Sequence, residues 1–278
     1  MKTFAIHHLC REAFAFQQQQ LTAMIVKAAD VDMIFLLGAT LHRKSCESIF
    51  HEPAPASQQM SGCTLLVLLR DLAGKALHEW QDKIEKRGMA IMPVTTIVLQ
   101  ASTFVEWLQA GHPFAVSVWR CAPVLHDAGN ICRENVPDTE AAFNNKDITR
   151  QWKEGLSKAK EFLAGAELYR IRQQYKMAAF MLHQSAEQAL HTILKAGTGY
   201  HANTHSIDRL LRYAALAAAQ LSELFPQQTA EDKHLLQLLQ SAYSDTRYRA
   251  DYHISHDDLL HLTVKVRRLQ EILCEMAT

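Results

Sequence analysis

The sequence predicts an α+β protein in two parts. A small mixed α/β domain spans residues 1–128, a linker spans 129–147, and an all-α bundle of four or five helices spans 148–278. Three observations carry this. Short apolar runs of strand length alternate with helical stretches in the first half only. The second half keeps a 3.6-residue apolar period to its end. Between them, 130–145 holds Pro137, adjacent Asn residues and several charges, a linker composition. The length of 278 residues suits two domains of roughly 130 residues each.

In the first half, Leu9 to Ala28 reads as a helix. Val31 to Leu37 reads as a buried strand stopped by Gly38, followed by a loop with Pro53, Pro55 and Ser57. Thr64 to Leu69 is a second buried strand. Asp71 is placed to cap the next helix, which runs to about Arg87 and ends at Gly88. Met92 to Leu99 is a third strand. Ser102 caps a short helix, with Glu106 in the place of a shifted capping box, and Gly111 ends it. His112 to Trp119 is a short apolar element, and Pro123 to Asp127 a last strand. In the second half, helices are expected at 148–172, 174–196, 205–221, 229–249 and 256–276, with Gly197 and Gly199 stopping the second.

Composition removes several function classes. The chain is 48% hydrophobic, and 29 Lys plus Arg balance 29 Asp plus Glu, which excludes disorder as the main state. The same balance argues against charge-driven or sequence-specific binding of duplex DNA. Mild acid would make the chain cationic, because it holds 15 His. The six cysteines (Cys10, Cys46, Cys63, Cys121, Cys132, Cys274) form no C-x-x-C pair, so neither a zinc ribbon nor a disulfide framework is expected, and the scatter fits a reducing cytoplasm. The first 30 residues turn polar at Gln17 to Gln20 and read as no signal peptide. The longest apolar runs, Met33 to Leu37 and Leu65 to Leu69, are too short to span a membrane. No membrane partner and no cofactor are expected.

Three stretches of the second half carry a resemblance: 180–190 (FMLHQSAEQAL), 204–211 (THSIDRLL) and 243–248 (YSDTRY). In order and spacing they resemble the second helix, the start of the third and the turn before the last helix of HEPN domains, over about 115 residues. The first half is similar to the minimal nucleotidyltransferase fold that often accompanies such domains, through 34–39 (IFLLGA) and 114–127. That resemblance implies Gly-Ser, two carboxylates one residue apart, and a third on the next strand, which together hold metal ions for a nucleoside triphosphate. Here Ala39 stands in place of the Ser. The paired positions read Ser61-Gly62-Cys63-Thr64-Leu65, and the third strand Val94-Thr95-Thr96-Ile97. A catalytically inactive domain is expected, with no pair of divalent ions at Gly62, Thr64 and Thr95.

Some HEPN domains cut RNA with an Arg followed four to six residues later by a His; the chemistry needs a base for the 2′-hydroxyl and a cation for the phosphate. Arg247 to His253 and Arg249 to His256 both meet that spacing. The residue after each Arg is Tyr248 or Ala250 rather than a small polar one, and Thr246-Arg247-Tyr248 instead resembles members in which the Arg is structural or binds ligand. His183 and Glu187 lie i, i+4 on one helix face with Leu190 and Leu194, pointing inward. They form either a satisfied core pair or, with Arg247 and His205, a pocket lining. Ligand contacts are expected from Arg247, Arg249, Tyr248, His183, Glu187, His205 and His256; the catalytic pair in a ribonuclease would be Arg247 and His253. In a purely structural reading, Arg247 pairs with Asp245 or Glu187 and closes the bundle. His201/His205 and His253/His256 have ligand-like spacing but no completing acid or Cys, so no metal site is expected. Lys265, Arg267 and Arg268 read as a solvated helix face. Tyr243, Tyr248 and Tyr252 read as core, or as stacking surfaces for bases. The leading expectation is a nucleotide or single-stranded RNA bound in the bundle of a homodimer. An RNA-cleaving toxin-type enzyme and a ligand-free scaffold stay open beside it.

Overall fold

Between Val31 and Leu41 only Asp32, Gly38 and Thr40 interrupt an apolar run. In the computed structural model this run is the strand around which the first part of the chain is built. The structure describes residues 12–41, 45–48, 60–131, 145–226, 229–248 and 252–277. The chain divides into two units, Met1–Phe143 and Asn144–Thr278.

The first unit runs α1 (Glu12–Ala28), β1 (Val31–Leu41), β2 (Ser45–Ser48), β3 (Met60–Leu69), α2 (Leu77–Gly88), β4 (Val94–Gln100), α3 (Ala101–Gln109), α4 (Pro113–Cys121) and β5 (Val124–Asp127). The five strands form one sheet in the order β2-β1-β3-β4, with β5 also on β1. β1 pairs antiparallel with β3 on one edge; its other edge takes β2 at Gly38–Leu41 and β5 at Met33–Phe35. β3 and β4 are parallel, and α2 supplies the crossover that a parallel pair requires. Met33, Ile34, Leu36, Leu37 and Leu65–Leu69 are fully buried, as expected of strands covered on both faces. On one face Phe35 of β1 packs its ring 5.8 Å from Phe104 of α3 and 6.1 Å from Trp119 of α4. Val94 and Thr96 face α2: a Cβ on Gly88 would meet Val94 Cγ1 at 2.4 Å, and Glu85 accepts the Thr96 N–H at 2.9 Å.

Several local expectations change here. Gly38 does not stop β1; the strand shifts register between Leu36 and Gly38 and continues to Leu41. β2 has the sequence Ser-Cys-Glu-Ser, which carries no apolar alternation to predict it. Asp71 accepts the Ala73 N–H at 2.9 Å in an Asx turn, and α2 starts at Leu77 with Glu79 accepting the Ala76 N–H. Ser102 lies inside α3, whose N-cap is Gln100. The short apolar element expected at His112 to Trp119, by contrast, is present as the helix α4, with Pro113 in its first turn. The segments holding Pro53, Pro55 and Ser57, and most of the 129–147 linker, lie outside the described residues.

The second unit runs α5 (Asn145–Ile171), α6 (Tyr175–Thr198), α7 (Ile207–Ala214), a 3-10 helix (Ala219–Glu223), α8 (Ala230–Tyr248) and α9 (His256–Ala277). α6 is the central helix, touching α5, α7, α8 and α9. Small residues let it do so. A Cβ on Gly155 of α5 would lie 2.0 Å from Thr192 Oγ1 of α6. Gly197 stays inside α6, where it admits Ala217 closely; the helix ends at Gly199 with φ +81°, a left-handed C-cap. α7 is shorter than the sequence suggests, giving way to turns after Ala214. A buried polar clasp ties three helices: Gln270 donates to Ala159 O and Ser185 Oγ, both at 2.8 Å, and Ser185 donates to Ala159 O at 2.8 Å. Lys265 is not on a solvated face; it donates to Leu224 O at 2.9 Å and lies over the Phe225 ring. Arg267 pairs with Glu167, and Arg268 with Glu271 and Glu275. Among the described residues no helix is long and apolar enough to cross a membrane.

Candidate functional site

The first unit brings together the positions where carboxylates would be needed. Thr64 of β3 is paired in register with Thr95 of β4, and Gly62 precedes Thr64 by one strand period. Gly38 is paired with Thr64 on the opposite edge. Strand alternation therefore places 62, 64 and 95 on one face, but as Gly, Thr and Thr. Thr64 and Thr95 are buried. A Cβ on Gly62 would lie 2.9 Å from the Pro93 carbonyl oxygen. No described group of three His, Cys, Asp or Glu side chains is placed to hold a metal ion. Cys63, between these positions, is buried, and desolvation pushes its thiol up to about 12.

The second unit holds a denser polar cluster, centred on Glu187 of α6. The inward face of α6 is set by its apolar period, and Glu187 is only 6% exposed on that face. Its Oε1 accepts the Nδ1–H of His205 at 2.9 Å. Its Oε2 accepts from the Gln184 amide at 3.1 Å and lies 3.4 Å from His183 Nδ1. His183 is fully buried. One neutral tautomer satisfies it: Nε2–H donates to the His205 carbonyl at 3.3 Å, and Nδ1 accepts from Gln184 at 3.2 Å. His191, one turn on from Glu187, has Nε2 at 4.0 Å from Oε1 and donates it to the Thr204 carbonyl at 3.2 Å. Burial holds the His191 pKa below its ordinary value, against the pull of Glu187 in the other direction. Its Nδ1 is buried with no hydrogen-bond partner, and its ring lies 5.3 Å from that of His201.

His205 is the exposed member. It sits in the turn before α7, ahead of the Ser206 cap, which accepts the Arg209 N–H at 3.3 Å. Its side chain is 58% exposed, and its ring stacks on Tyr243 of α8 at 4.5 Å and 15°. Tyr243 also faces His183 at 5.2 Å. No described residue bonds His205 Nε2.

The sequence-derived candidates thus separate. His183, Glu187 and His205 meet in one cluster. His256 lies against Tyr175 at the other end of α6, about 18 Å along the helix from Glu187 at 1.5 Å per residue. His253 is exposed between buried Tyr252, whose hydroxyl donates to Leu238 O, and buried Ile254. Arg247 falls in the last turn of α8, one turn beyond Tyr243. The side chains of Asp245, Arg247 and Tyr248, and all of Arg249, lie outside the described residues. Gln184, His191 and the particular stacking of Tyr243 on His205 were not signalled by the sequence pattern. The i, i+4 spacing of Glu187 and His191 was the available clue to His191.

Residues 152–276 match the HEPN domain family model. Among solved structures, the chain is similar to a nucleotidyltransferase-like protein from Exiguobacterium sibiricum, at 11% identity, 93% coverage of this chain, 74% coverage of that one and a TM-score of 0.32. No curated protein matches the chain.

Proposed function

We propose that the HEPN domain at residues 152–276 binds a nucleotide or single-stranded RNA where α6, the turn before α7 and α8 meet, and that the first unit is a catalytically inactive nucleotidyltransferase-like domain. The observation that carries this is the half-exposed imidazole of His205, anchored to a buried carboxylate and stacked on Tyr243. Arg247 follows Tyr243 by one helical turn and is the phosphate partner in this reading, with Arg249 beyond it. Tyr248 is the outer contact, and His256, at the far end of α6, lies beyond the site. Support for inactivity of the first unit is the Gly, Thr and Thr at the three positions where metal-binding carboxylates belong. Magnesium-dependent nucleotide transfer would contradict it. A homodimer is proposed as the working form, on the exposed apolar residues Leu168, Ile171, Leu260 and Val264 of α5 and α9; light scattering at tens of micromolar tests it.

The test is titration of the full chain with short single-stranded RNA and with ATP at two salt concentrations. Arg247→Ala is expected to weaken binding by about 1.5–3 kcal/mol, the range for a hydrogen bond to a charged group. His253→Ala is expected to leave it nearly unchanged. RNA cutting that resists a chelator and vanishes in His253→Ala would promote the ribonuclease reading. No binding and no cutting, with Arg247→Ala only lowering Tm, would leave the scaffold.

A further inference from the structure

We infer that His205 reads the ribose 2′-hydroxyl of the ligand through Nε2, and that the site therefore selects ribonucleotides over deoxyribonucleotides. This deepens the proposed nucleotide or RNA binding and rests on it. The argument begins at the buried end of the ring. The Nδ1–H is committed to Glu187 Oε1 at 2.9 Å, so in the neutral ring Nε2 carries a lone pair and can only accept. The ring cannot turn away readily, because it is stacked on Tyr243 at 4.5 Å and its own carbonyl is held by His183. The carboxylate and the stack thus present one fixed acceptor on a side chain that is 58% exposed.

An acceptor selects a donor. Phosphate oxygens offer lone pairs only, so a neutral Nε2 gains nothing from them. The ribose 2′-hydroxyl is a donor next to the 3′-phosphate and is the group that distinguishes RNA from DNA. Glu187, His183 and Tyr243 face His205, with Gln184 and His191 on the same carboxylate and His201 against His191.

The test uses the full chain with single-stranded RNA and DNA of one sequence, and ATP beside dATP, at about pH 8. Wild type is expected to prefer the ribose form by roughly three- to tenfold, the factor one neutral hydrogen bond supplies. His205→Asn places an amide near Nδ1 and keeps the bond to Glu187 while removing Nε2. It is expected to keep the wild-type Tm and to lose the ribose preference, the ribose ligands falling further in affinity than the deoxy ones. His205→Gln, which restores a polar group near Nε2, is expected to recover part of it. Binding of both sugars with equal affinity in wild type would overturn the inference and leave the proposed function standing. Equal loss for both sugars in His205→Asn would also overturn it, pointing to a base contact. No binding of any of the four ligands would overturn the proposed function and this inference together.

Discussion

Among the described residues each unit buries one carboxylate, and the two are satisfied in opposite ways. Asp32 of β1 takes the Arg70 Nε–H at 3.0 Å and the Asn130 amide at 2.7 Å. Its partners are a permanent cation and a neutral amide, so its surroundings are the same at every working pH, and they pin a strand end. Glu187 is surrounded by an amide and three imidazoles, each with two ring nitrogens that can donate or accept. A carboxylate clamped by Arg and Asn reads as structure; one gathered among histidines beside an exposed ring is a place where protons and ligands can matter.

The largest expected difference is in removal of the two acids. Glu187→Ala removes the acceptor shared by Gln184 and His205, two hydrogen bonds to a charged group, and should destabilise the second unit by about 3–5 kcal/mol. Asp32→Ala should cost about 1–3 kcal/mol, because Arg70 is half-exposed and can turn to water. Urea unfolding of each variant measures both; equal losses would erase the distinction. Next comes an attempt to give the first unit the carboxylate it lacks. Gly62→Asp forces a Cβ against the Pro93 carbonyl oxygen and should lose about 1–3 kcal/mol without gaining nucleotide transfer. A stable variant that transfers nucleotides would undo the account of that unit.

Helix capping sharpens the same contrast on a smaller scale. α2, α3 and α4 start without a side-chain cap from the N-cap residue, being pinned to the sheet. In the bundle, Ser206, Thr229 and Ser255 cap α7, α8 and α9. Ser255→Ala should cost about 1 kcal/mol by thermal melting. It also frees Asp258, whose pKa is lowered chiefly by the Ser255 hydroxyl.

The smallest effect is in pH. His191 in the bundle and His112 in the first unit both have pKa values lowered by burial from 6.5. Between the lowered value and 6.5 the unfolded chain binds more protons than the folded one, so stability falls as pH drops through that window. Asp258, with its lowered pKa, adds stability that is also lost in acid, at lower pH than the histidines. His191→Gln keeps a donor for the Thr204 carbonyl and should flatten the pH dependence of urea midpoints between pH 7.5 and 5.5. An unchanged slope would contradict the burial argument.

How much of this could be read from the chain follows from what each signal depends on. The strand cores of β1 and β3 were legible because both faces are buried and Met33–Leu37 and Leu65–Leu69 are continuously apolar, and β4 because β-branched Thr95 and Thr96 lead into apolar Ile97–Leu99. β2 was invisible because its pairing with β1 owes nothing to its Ser-Cys-Glu-Ser pattern. The early end of α7 was hidden in an Ala-rich stretch that reads as helix, whereas Ala217 in fact packs on Gly197. In the cluster, the i, i+4 spacing of His183 and Glu187 reported a local fact and was legible. The bond from His205 to Glu187 joins residues 18 apart, and the stack on Tyr243 joins two separate elements, so only the fold could bring them together.

The most direct test of the central claim is carbethoxylation of histidines in the full chain, followed residue by residue by mass spectrometry, with and without single-stranded RNA. His205, His234 and His261 have similar side-chain exposure at 58%, 54% and 59%, and the last two lie on α8 and α9 away from the cluster, so they serve as internal controls. The account predicts that RNA slows modification of His205 while His234 and His261 react as before. Equal rates at His205 with and without saturating RNA, or protection confined to His253 and His256, would contradict it.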